Sequence, residues 1–354
     1  MSERDGAPNA PSASSAPTGG KAPTIYDVAR AAGVAASTVS RAFARPGRVN
    51  AATAERIRRV ASELGYRVNP LASGLPTGRT SMLALVVSDV TNPFYAEIIR
   101  GAESAAAEAG FVLLLIDAQE NDRVERASLE RALPAVEGLV LAGTRLSDSA
   151  IRMTAKQRPV VVLNRDVADV PSIILDNPHG MLVTAEHLAR LGHRTVTYVA
   201  GPEASWADGM RLRSLREAAT GLGLRVQRVG PFAPTVAGGR EAVDALPEDL
   251  PTAVVAYNDQ LAIGVVLALQ ARGVRVPRDV SVVGFDDIFP TRIVRPGLTT
   301  VAAPLRAQGR AAVDALLSSR GKPAPRTGKP MTLPVKLVVR DSTARARRGP
   351  RASG

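Results

Sequence analysis

The sequence predicts a small all-α domain followed by an α/β domain of two doubly wound parallel-sheet lobes. Three observations carry that fold class. Residues 24–67 divide into three short amphipathic stretches separated by Gly and capping residues. Residues 68–80 (VNPLASGLPTGRT) form a connection rich in Pro and Gly. From Met82 onward, strand-like apolar runs alternate with stretches of helical spacing, the pattern of parallel sheets covered by helices.

The elements follow in order. Thr24 is placed to cap the first helix, with Asp27 three residues on as an imperfect capping box, and Gly33 breaks the chain after Ala32. Val34 to Ala44 forms the second helix. Asn50 is the expected N-cap of the third, which runs to Leu64 and stops at Gly65. These helices share one small core: Val28, Val34, Val39, Ile57, Val60 and Leu64. Strand-like runs then appear at Met82–Val87, Phe111–Ile116, Gly138–Leu141, Val160–Leu163, Ser172–Leu175, Thr195–Ala200, Arg225–Val229, Ala253–Ala256 and Val280–Gly284. Helical spacing lies between most of them, at 95–109, 120–132, 179–191, 207–221, 237–245 and 258–272. So many strands imply two sheets. Segments 298–301, 304–319 and 331–339 have no place from pattern alone.

Composition narrows the chemistry. The formal charge is +12, and residues 24–80 alone carry nine Arg against Asp27, Glu55 and Glu63, a net of about +6. A basic excess concentrated in one small domain points to a polyanionic partner. There is no Cys, which excludes disulfides, thiolate metal sites and Cys nucleophiles. Three His (His179, His187, His193) lack a common metal-ligand spacing, so no metal and no cofactor is expected. No apolar stretch is long enough to span a membrane, and Met1–Gly20 lacks the apolar region of a secretory signal. Residues 1–23 read as a disordered leader, 343–354 as a disordered basic tail, and the protein as cytoplasmic.

In open parallel sheets, ligands bind beyond the carboxyl ends of the strands. There the chain carries Asp89, Asn92, Phe94 and Tyr95 after the first run, and Asn164 and Arg165 after the fourth. Ser205 and Trp206 follow the run ending at Ala200, Asn258 and Asp259 follow Ala256, and Asp286 and Asp287 follow Gly284. Asn and Asp also start turns and cap helices, which accounts for each instance alone. It accounts less well for a set that includes aromatics and Arg.

The segment TIYDVARAAGVAASTVSRAF (24–43) resembles the helix-turn-helix headpiece of the LacI/GalR family of bacterial transcription repressors. The resemblance continues through residues 44–76 and into SDVTNPFYAEIIRGAE (88–103), EHLARLGHR (186–194), YNDQLAIG (257–264), DVSVVGFDDI (279–288) and PGLTTV (296–301). It implies a headpiece at 24–68, a hinge helix and linker at 69–80, and a periplasmic-binding-protein-like effector and dimerisation domain at 81–342. The N-lobe would hold about 81–175 and 302–333, the C-lobe about 176–301 and 334–342. By this resemblance Ala36, Ser37 and Arg41 read bases, Arg41 by pairing with guanine. Thr24, Thr38, Arg48, Asn50 and Thr53 contact phosphates. Leu75 wedges into the minor groove, with Asn69 and Ala72 beside it. Phe94, Tyr95, Asn164, Ser205, Trp206, Ala207, Arg211, Asn258 and Asp286 line the effector cleft.

Two departures stand out. Ala35 occupies the position where the family caps its recognition helix with Ser or Thr, and Gly74 weakens the hinge. The resemblance implies a homodimer on a pseudo-palindromic operator, controlled by a small effector, most simply a sugar or sugar derivative. The alternative is control by a protein co-regulator or a non-sugar ligand. A solute-binding protein leaves residues 24–80 without a role. An enzyme is disfavoured because GxSxG, GxxxxGK[ST], HExxH and a GxGxxG after a strand are all missing.

Overall fold

The computed structural model of the chain describes residues 22–44, 47–66, 80–319 and 328–347. The chain divides into two units, residues 1–80 and 81–354. Asn69, Ala72 and Leu75, and with them the hinge expected at 69–80 up to Arg79, lie outside the described residues, as do residues 1–21 and 348–354.

The first unit holds α1 (Ile25–Ala32), α2 (Ala36–Ala44) and α3 (Ala51–Glu63). Thr24 and Asp27 pair at the start of α1: both the backbone N–H and the hydroxyl of Thr24 donate to Asp27 Oδ2, at 2.8 and 2.6 Å. Gly33 closes the helix at φ +62°. Asn50 Oδ1 accepts the Ala52 N–H at 3.0 Å and starts α3. The core is Val28, Val39 and Ile57 packed among Ala29, Ala32, Ala42, Ala54 and Ala61. Leu64, expected inside, is instead 41% exposed, because α3 ends one residue earlier and Ala61 takes the inward position. Tyr66 packs toward Phe43 beyond the helix end.

The second unit contains two six-stranded sheets. The first has the order β11-β5-β4-β3-β1-β2, with β1 (Met82–Val87), β2 (Val112–Asp117), β3 (Leu139–Ala142), β4 (Val160–Leu163), β5 (Ser172–Leu175) and β11 (Met331–Leu333), all parallel. The inner strands β1, β3 and β4 are buried almost throughout, as helices on both faces require. The second has the order β12-β10-β9-β8-β6-β7, with β6 (Thr195–Val199), β7 (Arg225–Val229), β8 (Ala253–Ala256), β9 (Ser281–Asp286), β10 (Thr299–Ala302) and β12 (Lys336–Val338). Only β12 runs antiparallel, at an edge. The chain passes between the sheets after β5, after β10 and after β11.

Helices cover both sheets: α4 (Pro93–Glu108), α5 (Asp122–Ala132), α6 (Asp148–Gln157), α7 (Asn177–Arg190), α8 (Trp206–Leu222), α9 (Val236–Asp244), α10 (Asp259–Ala271) and α11 (Leu305–Ser318). In the N-lobe α4 and α11 touch backbone to backbone. A Cβ on Gly101 would lie 2.0 Å from the Arg306 carbonyl oxygen, and one on Gly309 would lie 2.0 Å from that of Ile98. Glycine is therefore required on both sides of the crossing.

The basic tail expected from Thr343 onward needs correction. Ser342 is fully buried, its Oγ donating to the Val282 carbonyl (2.6 Å) and accepting from the Thr299 N–H (2.8 Å). The Ala346 N–H then donates to the Leu191 carbonyl at 2.9 Å, and Arg347 Nη2 to that of Leu250 at 2.9 Å. Carbonyls at the edge of the C-lobe thus hold the chain through Arg347.

Candidate functional site

The headpiece presents one polar face. Along α2, Ser37, Ser40 and Arg41 are exposed, Ala36 and Thr38 are half-buried, and Val39 is fully buried. Arg41 folds back along its own helix: Nε donates to the Ser37 carbonyl (3.0 Å) and Nη2 to Ser37 Oγ (3.3 Å). Arg48 and Asn50 are exposed and Thr53 half-buried at the start of α3, while the Thr24 hydroxyl is engaged in its cap. At the start of α2 the Ala35 carbonyl accepts the Thr38 and Val39 N–H groups.

In the second unit a cleft lies between the lobes, beyond the carboxyl ends of both sets of strands. Phe94, Tyr95, Asn164, Ser205, Trp206, Ala207, Arg211, Asn258 and Asp286 all line it. Several also cap helices. Ser205 Oγ accepts from Asp208 N–H at the start of α8, and Asn258 Oδ1 from Leu261 N–H at the start of α10. Capping and site formation coincide here, because parallel topology aims these helix N-termini at the strand ends.

Arg211 is the centre of the C-lobe wall. Its side chain is 4% exposed, with Nε donating to Asn177 Oδ1 (3.0 Å) and Nη1 to the Tyr257 carbonyl (2.6 Å). The guanidinium carbon lies 3.5 Å from the Phe285 ring centroid and 5.0 Å from that of Tyr257, a double cation–π arrangement. Nη2 lies 3.6 Å from Asp286 Oδ1, too long for a hydrogen bond. That oxygen is buried without a hydrogen-bond partner among the described residues. Burial lifts the Asp286 carboxyl to about 7, and Arg211 restrains the rise. Below it, Asp259 accepts from Thr300 Oγ1 (2.5 Å) and the Ile288 N–H (3.0 Å). Its carboxyl is held far above the usual range by burial first and by Asp286 second.

The N-lobe wall contains residues the sequence reading passed over. Arg145 grips Glu120 Oε2 through Nε (2.7 Å) and Nη2 (2.6 Å). Ser88 Oγ donates to Glu120 Oε1 (2.8 Å) and shares a 2.6 Å hydrogen bond with the Tyr95 hydroxyl. Gly143 must be glycine: at φ +78° a Cβ would sit 2.3 Å from the Tyr95 hydroxyl. The signal for Glu120 and Arg145 was present, since they follow β2 and β3 as Asn164 follows β4. Tyr257 was also missed, next to Asn258. Three lining residues, Glu120 (φ +53°), Asn164 (φ +60°) and Asp286 (φ +119°), hold backbone conformations that L-residues rarely adopt. Such strain collects at ligand sites, where the surrounding structure enforces it.

Among the described residues no cluster of His, Cys, Asp or Glu suits a metal ion, and no helix is long and apolar enough to cross a membrane.

Comparison with known proteins agrees with this architecture. A family model described as bacterial regulatory proteins, lacI family, matches residues 24–69, and one for a periplasmic binding protein-like domain matches 185–343. The HTH-type transcriptional regulator DegA of Bacillus subtilis is 32% identical over 91% of this chain and 98% of its own length. Among solved structures, the lac repressor dimer bound to operator and the anti-inducer ONPF superposes with a TM-score of 0.79 at 28% identity, covering 92% of this chain and all of that one. A LacI family transcriptional regulator from Enterococcus faecium with bound ribose gives 0.67 at 28% identity, covering 75% of this chain and all of that one.

Proposed function

Because the chain belongs to the lacI family of bacterial regulatory proteins, and is a DNA-binding transcription regulator, we propose that it is a cytoplasmic repressor without catalytic activity whose hold on its operator is set by a sugar or sugar derivative in the inter-lobe cleft. One observation carries the effector half: Arg211 and Asp286 converge in that cleft with an unpartnered carboxylate oxygen beside a buried guanidinium. Buried polar groups of this kind are costly unless a ligand completes them. Vicinal hydroxyls suit the pair, since a hydroxyl donates to Asp286 and accepts from Arg211 in one contact. Trp206, Phe94 and Tyr95 supply apolar faces for the ring. The ribose-bound relative is in keeping with this class of ligand.

In the DNA half, Arg41 reads guanine, Ser37 and Ala36 read neighbouring bases, and Thr24, Thr38, Arg48, Asn50 and Thr53 set register on phosphates. Residues 24–68 form the headpiece, 69–80 the hinge carrying Asn69, Ala72 and the Leu75 wedge, and 81–342 the effector domain. A homodimer reads a pseudo-palindrome, one half-site per protomer. The effector biases the relative orientation of the lobes, and linkage makes its coupling to DNA reciprocal. The test is operator selection from random duplexes followed by anisotropy titrations with and without D-ribose, D-xylose, D-glucose and D-galactose. The expected result is a two-fold symmetric site whose affinity falls steeply with salt and changes with one sugar. Selection of no symmetric site, or a site indifferent to every sugar while calorimetry also finds none bound, would overturn the respective half.

A further inference from the structure

With the cleft read as an effector site, Gln308 is left without a task. It sits in α11 with no exposed surface, where a buried carboxamide is costly unless hydrogen-bonded. Only half of it is bonded. Nε2 donates to Asn164 Oδ1 at 2.9 Å and faces the Ile173 carbonyl at 3.5 Å, while Oε1 has no partner among the described residues. A leucine there would avoid the unsatisfied oxygen. A buried polar residue that breaks a local rule in this way marks a functional position.

The geometry says what the position does. The Ile173 carbonyl can only accept, so the nitrogen of Gln308, and not its oxygen, must face this pair. Asn164 must then answer with its own oxygen. The Asn164 backbone is fixed as well: its N–H donates to the same Ile173 carbonyl at 2.9 Å, and its φ is +60°. Asn164 lines the cleft, and with Oδ1 turned toward α11 its Nδ2 remains as the group available to a ligand.

We propose, resting on the effector-site reading, that Gln308 is a positioning residue that sets effector specificity by locking the Asn164 carboxamide with its donor toward the cleft. The effector then presents an acceptor oxygen at that point, from a hydroxyl, carbonyl or carboxylate. A group that only donates, such as the ammonium of an amino sugar, is disfavoured there. Gln308 touches no ligand itself; it acts through Asn164.

The test uses full-length protein and the variants Gln308→Leu, Asn164→Ala and the double variant. The first measurement needs no ligand. In protein labelled with ¹⁵N at Asn and Gln, the Asn164 side-chain amide pair is identified by its loss in Asn164→Ala. In Gln308→Leu it is expected to shift and broaden, as the freed carboxamide samples both orientations, while the melting temperature stays at or above that of the unmodified protein. An unchanged Asn164 pair overturns the proposal. The second measurement is calorimetry with D-glucose and D-galactose against D-glucosamine and D-galactosamine. Gln308→Leu is expected to lose about tenfold in affinity for the neutral sugar bound and to lose its discrimination against the amino counterpart, with no further loss in the Asn164→Ala background. Unaltered discrimination, or losses that add, refutes the role in specificity. If none of these sugars binds, the effector is not one of these hexoses, and the amide spectrum alone upholds or overturns the orientation of Asn164.

Discussion

Replacing Arg211 by methionine keeps most of the side-chain volume and removes the charge. It strands Asn177 Oδ1 and the Tyr257 carbonyl, which lose donors at 3.0 and 2.6 Å, and leaves Asp286 buried without its cation. Breaking a buried ion pair from one side costs about 3–5 kcal/mol, much of it the price of the stranded charge. That portion depends on pH. The Asp286 carboxyl stands at about 7 in the fold, above the ordinary carboxylate range, with Asp259 and Asp287 as its acidic surroundings. A group raised by folding contributes stability that is fully present below its unfolded value and lost as pH rises through its folded one. At pH 8 the unmodified protein holds an ionised Asp286 beside Arg211, whereas in the variant the carboxyl, no longer held down by that cation, must either keep its proton or sit buried as an unopposed charge, and either costs stability that the unmodified protein retains. At pH 5.5 Asp286 is neutral in both, and the variant loses the donors of two acceptors, about 1–3 kcal/mol each, and the cation–π contacts, losses that are the same at either pH. Trp206 is the single tryptophan and opens α8, the helix that carries Arg211, so urea unfolding followed by its fluorescence reports this lobe. The destabilisation should be larger at pH 8 than at pH 5.5. Equal values at both pH would refute the assignment of Asp286 as the charge that Arg211 serves.

Other changes test other parts. Ala35→Ser supplies the missing cap of α2 and should stabilise the headpiece by about 1 kcal/mol, read as slower amide exchange at Val39 in the free protein. The unmodified headpiece should show weak protection there. Gly143→Ala places a methyl 2.3 Å from the Tyr95 hydroxyl at a positive φ, and should cost about 1–2 kcal/mol for the backbone alone. The loss of the Tyr95–Ser88 bond adds to this, and calorimetry should find effector binding weakened while operator binding without effector persists. Leu75→Ala should reduce operator affinity severely and leave effector binding intact, as anisotropy and calorimetry on one preparation will tell.

What could be read from the sequence follows from how local each signal is. β1, β4, β5 and β8 appear at their predicted bounds because each is a short apolar run closed by turn residues. α6 was missed because only Ile151 and Thr154 of its ten residues are buried, too few to draw an apolar stripe. β11 and β12 span three residues each, and their pairing with β5 and β10 is a tertiary fact. In the cleft, the strand-end rule found the residue types but not their partners. That Arg211 leans on Asn177, 34 positions upstream, depends on how α7 meets α8. Gln308 was invisible for a related reason: one polar residue in a helix reads as surface until the packing shows it has none.

The α4–α11 crossing also bears on how the chain is made. The N-lobe begins near residue 81, yet the helix that closes it arrives only with Leu305–Ser318, and the Arg306–Glu97 contact joins residues 209 positions apart. During synthesis the entire C-lobe sheet except β12 emerges first. Until α11 leaves the ribosome, Ile98, Ala102 and Ala105 on α4 lack the surface that the two glycines bring within backbone contact. A nascent chain stopped before residue 305 therefore carries an open apolar groove, and its first lobe is completed almost last.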